Sequence, residues 1–126
     1  MLASQQAIDQ VIIAARTGNT AKIALREVTG TSLIGLESTI IAEAAQHGHL
    51  NVLKYMEATS SRVANKVEGI LDYPLYLAIK NNRIGFSYYI ITKMNYRPTK
   101  YVMDLINNHA KYGHYGRTMK AQRQKR

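Results

Sequence analysis

Cysteine and tryptophan are absent from this chain, and only two of its 126 residues are proline. Without cysteine the protein has neither a disulfide framework nor a thiolate nucleophile, which fits a reducing compartment. No apolar run approaches the about 20 residues that a membrane-spanning helix needs, and the first residues lack the basic and apolar segments of a secretory signal. These absences predict a soluble, intracellular protein in which long segments are free to be helical.

Charge is distributed unevenly along the chain. Residues 1–96 contain nine Lys or Arg and seven Asp or Glu, a net charge of +2, whereas residues 97–126 contain eight Lys or Arg and one acidic residue, a net charge of +7. The 46% of apolar and 20% of charged residues are ordinary for a globular protein of one domain. We predict a nearly neutral folded domain over residues 1–112 and a basic C-terminal cap or tail over residues 113–126, whose cations are Arg117, Lys120, Arg123, Lys125 and Arg126.

One short sequence motif occurs four times along the chain. A small residue near the end of a predicted helix is followed by two polar or aromatic residues and then by a residue that closes a helix at low steric cost. The closing residues are Gly18, Gly48, Asn82 and, in a weaker copy, Gly113, which are 30, 34 and 31 residues apart. That period is typical of stacked helical pairs. Each unit is therefore predicted to be a helix, a tight turn, a second helix and a polar connection.

Helical periodicity on both sides of each turn defines the predicted helices. They cover residues 4–17, 20–28, 37–46, 49–58, 74–81, 84–93 and 99–112. The predicted apolar stripe of the second unit contains Leu50, Val52, Leu53 and Met56, and that of the third unit contains Ile84, Tyr88 and Ile91. The long connection after the second unit can hold an extra helical turn within residues 60–68.

Two segments resemble the ankyrin repeat. Residues 44–56, AAQHGHLNVLKYM, are similar to the family's most recognisable segment, and residues 73–79, YPLYLAI, are similar to its Thr-Pro-Leu-His-Leu-Ala-Ala opening, with Tyr76 in place of the His. The resemblance covers residues 8–94 and implies an all-α fold, a short solenoid of three to four stacked helix-turn-helix repeats. Glu43 and Ser87 depart from the pattern, because both stand at apolar positions. Another helical repeat or a helical bundle is the alternative.

The chain carries no sequence signature of catalysis or metal binding. It lacks the Gly-x-Ser-x-Gly elbow, the Gly-Lys phosphate loop and the His-Glu-x-x-His zinc motif. The four histidines fall in two pairs, His47 with His49 and His109 with His114. Neither pair is accompanied by the further ligands at fixed spacing that a metal site requires. We therefore expect no enzymatic activity, no cofactor, no metal and no small-molecule substrate.

The resemblance also implies where a partner binds. Ankyrin-type stacks present a concave groove, and the two positions before each turn residue point into it. With Tyr76 added, the predicted partner-binding residues are Arg16, Thr17, Gln46, His47, Tyr76, Lys80, Asn81, Lys111 and Tyr112. None of them is acidic, and Arg16 and Lys80 make the groove mildly positive. The expected partner is another protein with an acidic contact segment.

Tyrosine is the dominant aromatic residue, with nine copies against one phenylalanine. It combines a large contact area with an orienting hydroxyl, a combination that binding surfaces favour. Tyr55 and Tyr89 occupy equivalent positions in the second and third units and are expected to pack between helices. The predicted surface tyrosines are Tyr76, Tyr96, Tyr112 and Tyr115.

The basic C-terminal tail is open to several interpretations. It fits nucleic-acid phosphate, an acidic protein face, a nuclear address or a solubilising terminus. The leading function is a non-catalytic protein–protein interaction module, and the alternative is a nucleic-acid-associated protein or a structural subunit anchored by the tail. The diverged repeats of this chain resemble those of small ankyrin-like proteins from large DNA viruses and intracellular bacteria. This resemblance implies a role in host–pathogen interaction. It also implies a location in the cytoplasm, or in the host cytoplasm or nucleus, without membrane association.

Overall fold

A computed structural model of the protein describes residues 5–108, and every regular element in that range is helical. The elements are α1 (Gln5–Thr17), α2 (Thr20–Val28), α3 (Glu37–His47), α4 (Leu50–Thr59), α5 (Ser61–Ala64), α6 (Asp72–Lys80), α7 (Ile84–Tyr88), a π-helical turn (Tyr89–Lys93) that continues α7, and α8 (Lys100–Asn108). The all-α class is therefore confirmed, and α5 is the predicted extra turn. The last predicted helix extends to residue 112, beyond the described residues.

The start of α6 differs from the prediction. Periodicity placed it at Pro74, whereas the helix begins two residues earlier, at Asp72. Proline is tolerated there because the first N–H groups of a helix have no intrahelical acceptor, so a missing donor costs nothing. The earlier start places the carboxylate of Asp72 in the first helical turn, where the helix dipole favours a negative charge.

The three predicted turns within residues 5–108 have one common geometry. Gly18, Gly48 and Asn82 all lie in the left-handed region, with φ of +76°, +78° and +59°. In each turn, the backbone N–H of the residue that follows the turn residue reaches back to an alanine carbonyl, the bond of a Schellman motif. These bonds run from Asn19 to Ala14 (2.8 Å), from His49 to Ala44 (2.8 Å) and from Arg83 to Ala78 (2.7 Å). The weaker fourth turn, at Gly113, lies outside the described residues.

The helices pack in two layers. The first helix of each unit belongs to one layer: α3 contacts α1 on one side and α6 on the other, and α8 packs against α6. The second helices pack on their own first helices, α2 on α1, α4 on α3 and α7 on α6, and α2 also contacts α4. Fully buried alanines at the ends of the first helices let neighbouring backbones approach closely: Ala15, Ala44, Ala45 and Ala78.

The predicted apolar stripe of the third unit is wrong at two of its three positions. Ile84 and Tyr88 are each 43% exposed, and of the stripe only Ile91 is buried. When the units are aligned at their turns, the buried residues Phe86, Ser87 and Ile90 match the core of the second unit, namely Val52, Leu53 and Met56. The spacing of the turns therefore predicts this core better than local hydrophobicity does. The Ser87 hydroxyl satisfies its hydrogen bond inside the core by donating to the Ile84 carbonyl at 3.1 Å.

Candidate functional site

The turns of successive units lie against one another. A Cβ atom added to Gly18 would lie 2.7 Å from Nδ1 of His49, and one added to Gly48 would lie 3.1 Å from Cδ of Arg83. The Asn51 amide donates to the Gly18 carbonyl at 2.7 Å, and the Arg83 guanidinium donates to the Gln46 carbonyl at 3.1 Å. The residue after each turn thus covers the turn of the preceding unit, which gives His49 a packing role.

Two equivalent tyrosine–glutamate pairs join the second helices. The Tyr55 hydroxyl donates to Oε1 of Glu27 at 2.5 Å, and the Tyr89 hydroxyl donates to Oε1 of Glu57 at 2.6 Å. Burial, followed by the bond to Glu27, raises the pKa of Tyr55 to about 12. The bond to Glu57, followed by burial, raises the pKa of Tyr89 to about 12. Tyr55 and Tyr89 do pack between helices, as expected, and the pairs hold the half-buried carboxylates of Glu27 and Glu57 between the second helices.

Tyr96 is not a surface residue, which corrects the sequence prediction. It is 2% exposed, its hydroxyl donates to Oδ1 of Asp72 at 2.6 Å, and it accepts the Leu71 N–H at 3.2 Å. Burial, with the Asp72 carboxylate beside it, raises the pKa of Tyr96 well above its usual range. The connection before α8 directs this side chain toward the core. The sequence prediction was wrong because helical periodicity does not apply to a loop.

A second carboxylate at a helix start is also held internally. Glu37, the first residue of α3, is almost fully buried; its Oε1 accepts the Gly35 N–H at 2.8 Å and its Oε2 pairs with Nε of Arg62 at 3.1 Å. Asp72, the first residue of α6, likewise accepts the Thr99 N–H in addition to the Tyr96 hydroxyl. Both acidic groups therefore tie a first helix to the connection that follows its unit.

The predicted partner-binding residues before the three turns lie at the same end of three adjacent helices. We call this set the first-helix face; its members are Arg16 and Thr17 on α1, Gln46 and His47 on α3, and Lys80 with Asn81 at the end of α6. All are exposed except Asn81, which is half-buried and donates to the Leu77 carbonyl at 2.8 Å. The structure thus brings six of the nine predicted residues into neighbouring positions.

The charged members of the first-helix face have different surroundings. Nε of Arg16 pairs with Oε2 of Glu43 at 3.3 Å, which also explains why an acidic residue occupies that position. Nζ of Lys80 lies 5.8 Å from the ring centroid of Tyr76, the half-buried seventh predicted residue, close enough for a cation–π contact. Lys111 and Tyr112, like the five cations of the tail, lie outside the described residues.

Sequence reasoning missed an aromatic recess between α6 and α8. This tyrosine recess has a volume of about 310 Å³ and is lined by Asp72, Tyr73, Tyr76, Thr99, Tyr101 and Val102. Tyr73 is 57% exposed and Tyr101 is 71% exposed, so both rings stand at its edge. Part of the signal was in the sequence, since Tyr73, Tyr76 and Lys80 have the i, i+3, i+7 spacing of a single helix face. The contribution of α8 could not be read from that spacing.

Neither a metal site nor a membrane-spanning helix is found among residues 5–108. Over residues 5–108, no three His, Asp or Glu side chains come together as metal ligands. Over the same range, no helix is both long and apolar enough to span a bilayer. Comparisons with protein-family models, with curated protein sequences and with solved structures give no match for this chain. Its function has to be argued from its own geometry.

Proposed function

We propose that this chain is a non-catalytic, ankyrin-type repeat module that binds an acidic segment of another protein through its first-helix face. The observation that carries the proposal is the placement of Arg16, Gln46 and Lys80 as exposed residues at the same end of three adjacent helices. The ankyrin-type assignment is supported by the three identical turns and by the two equivalent tyrosine–glutamate pairs. Such repetition is expected when each unit contacts its neighbour in the same way.

The electrostatics of the module favour an acidic partner. The carboxylates of Glu27, Glu37, Glu57 and Asp72 all accept internal hydrogen bonds. On the first-helix face, Arg16 is paired with Glu43 beside it, His47 contributes an exposed imidazole, and Lys80 is the exposed cation that contacts the ring of Tyr76. A partner carboxylate therefore meets Lys80 on this face, which accelerates encounter and disfavours basic partners. Because the stacked helices are rigid before contact, little ordering entropy opposes binding.

Selection from a random peptide library displayed on phage tests the proposal with the full chain as bait. We expect acidic peptides to be enriched and their affinity for the double variant His47→Glu/Lys80→Glu to fall at least about tenfold, since each partner carboxylate then meets a like charge. Lys93→Glu is the control for the Lys80→Glu part of the double variant, because it makes the same Lys-to-Glu change at an exposed position in the second-helix layer. Absence of enrichment, or equal losses in the double variant and the control, would overturn the proposal.

The net charge of +7 over residues 97–126 favours a second candidate, a protein that holds nucleic acid or an acidic neighbour in a larger particle through its basic tail. Its test is the affinity for random single-stranded DNA across a range of salt concentrations. Tight binding with a steep salt dependence that disappears on deletion of residues 117–126 would support this function. Failure to bind DNA near physiological salt would remove its nucleic-acid form.

A further inference from the structure

We infer that the tyrosine recess takes an apolar or aromatic side chain of the acidic peptide, and that a carboxylate two to three residues away on that peptide reaches Lys80. This inference rests on the proposed function and makes it specific, because it names one anchor and one spacing. The recess is shallow, mostly apolar and open to an incoming side chain at the exposed rings of Tyr73 and Tyr101. Anchor side chains of peptides usually enter such pockets.

The spacing follows from the geometry of α6. Tyr73, Tyr76 and Lys80 form one row along this helix, which we call the α6 row. With a rise of about 1.5 Å per residue, Lys80 lies ~6 Å along the axis from Tyr76 and ~10 Å from Tyr73. An extended peptide advances ~3.3 Å per residue, so two to three residues cover this distance. A carboxylate at that separation from the anchor therefore stands opposite the ammonium group of Lys80.

The charge of the recess agrees with this peptide. Its single acidic lining residue, Asp72, accepts hydrogen bonds from the Tyr96 hydroxyl and the Thr99 N–H, so the carboxylate is already occupied. Lys80 is exposed at the end of the row, and the face of Tyr76 orients its ammonium group. The recess thus presents aromatic walls, with a cation rather than an anion at the end from which the peptide continues.

The recess belongs to one unit only. Alignment at the turns matches the α6 row with Thr39, Ala42 and Gln46 on α3, where the side chains are small or uncharged. Ala42 is buried, while Thr39 and Gln46 are exposed beside the larger tyrosines. The peptide can therefore lie over α3 while its anchor enters between α6 and α8. This difference between adjacent helices would set the direction and register of the bound peptide.

A nucleic-acid strand fits this surface less well than an acidic peptide does. Single-stranded nucleic acids stack on aromatic rings, but their phosphates also need a track of cations beside those rings. Among residues 5–108, the lining of the tyrosine recess contains no lysine or arginine, and the nearby Lys100 is paired with Asp104 at 3.1 Å. The recess therefore suits the acidic peptide better, and nucleic-acid binding is one outcome of the test.

The test uses a fluorescein-labelled Gly/Ser peptide that carries one Phe and, three residues further on, a Glu-Glu pair. We expect it to bind the full chain and to shift the amide resonances of Tyr73, Lys80 and Tyr101 in ¹⁵N-labelled protein. Replacing Phe by Ser, replacing both Glu by Gln, or moving the Glu pair to the far end should each weaken binding at least about fivefold. On the protein, Tyr101→Ser should weaken it to a similar extent, whereas Tyr88→Ser, an exposed tyrosine of the second-helix layer, should leave it unchanged.

The possible outcomes separate this inference from the proposed function. If library-selected acidic peptides depend on His47 and Lys80 but are insensitive to Tyr101→Ser and Tyr73→Ser, the anchor site is wrong and the proposed function stands. If neither selected nor designed peptides bind, both fail. If an oligothymidylate probe shifts the same resonances and binds more tightly than the Phe–Glu peptide, the recess is a base-stacking site and the inference is overturned.

Discussion

The repeat units are alike where they touch one another and unlike where they face outward. Between units, the same residue types recur at equivalent positions, as in the Tyr55–Glu27 and Tyr89–Glu57 pairs. Along the outward rows of the first helices, α3 carries Thr39, Ala42 and Gln46, whereas α6 carries Tyr73, Tyr76 and Lys80. Contacts between units are fixed by the geometry of stacking, so the same tyrosine–glutamate pair occurs at both junctions between second helices. The exposed positions of these rows, Tyr73 and Lys80 on α6 with Thr39 and Gln46 on α3, are free of that constraint, which is why their difference points to recognition.

The largest effect on stability is expected at a turn that another unit covers. Gly18→Ala should lower the free energy of unfolding by about 2 kcal/mol, because a left-handed conformation costs a non-glycine residue roughly 1–2 kcal/mol and the added Cβ would meet His49 at 2.7 Å. Gly85→Ala is the matched control: nothing lies within 4 Å of its added Cβ, and alanine should stabilise α7 by up to about 1 kcal/mol. Urea unfolding followed by circular dichroism measures both, and equal effects would contradict the stacking of the turns.

A smaller effect is expected from the tyrosine–glutamate pairs. Tyr55→Phe and Tyr89→Phe each remove one hydroxyl donor to a carboxylate, which should cost about 1 kcal/mol per variant. Tyr73→Phe and Tyr101→Phe remove hydroxyls from the edge of the tyrosine recess and should change the free energy of unfolding by less than about 0.5 kcal/mol. The same denaturation experiment compares the two sets. A reversed order would mean that the pairs do not hold the second helices together.

The same pairs should make stability fall in alkali. Because the pKa values of Tyr55 and Tyr89 rise from 10 to about 12 on folding, the folded state holds these protons more tightly than the unfolded state. Their contribution is fully present below pH 10 and is lost as the pH rises from there through 12. Thermal unfolding between pH 8.5 and 11.5 should show a shallower decline for the double variant Tyr55→Phe/Tyr89→Phe than for the wild type. Parallel declines would contradict the assigned cause.

The smallest effect on stability is expected at the outward face. Lys80→Glu removes a cation–π contact at an exposed site and should change the free energy of unfolding by less than about 0.5 kcal/mol. The same variant should weaken binding of the selected acidic peptides severalfold, measured by fluorescence polarisation. Loss of stability without loss of binding would assign Lys80 to the structure rather than to recognition.

Most of the fold could be predicted from the sequence because its turns are local. A Schellman turn depends on a few consecutive residues, so Gly18, Gly48 and Asn82 marked the helix ends and the repeat together. Tyr55 and Tyr89 were placed correctly for the same reason, since their equivalence follows from the turn spacing. The all-α class is confirmed, whereas the ankyrin-type assignment remains a proposal.

What could not be predicted depends on contacts between distant segments. The inward side chain of Tyr96 follows from its bond to Asp72, which is 24 residues away. The tyrosine recess exists only because α8 packs beside α6 and brings Tyr101 next to Tyr73. The apolar stripe through Ile84 was predicted from local hydrophobicity, and the position of α7 against α6 decided which face was buried. Helix periodicity describes one helix at a time, so it cannot predict contacts between residues on different helices or loops.

Replacing the α6 row by its α3 counterparts tests the account most directly. The triple variant Tyr73→Thr/Tyr76→Ala/Lys80→Gln keeps the three turns and both tyrosine–glutamate pairs, so it should remain folded, with a loss of no more than about 2 kcal/mol in the free energy of unfolding. The measurement is its affinity for the library-selected acidic peptides, by fluorescence polarisation against the wild type. We expect a loss of at least about tenfold, and an unchanged affinity in the folded variant would contradict a role of the α6 row in peptide binding.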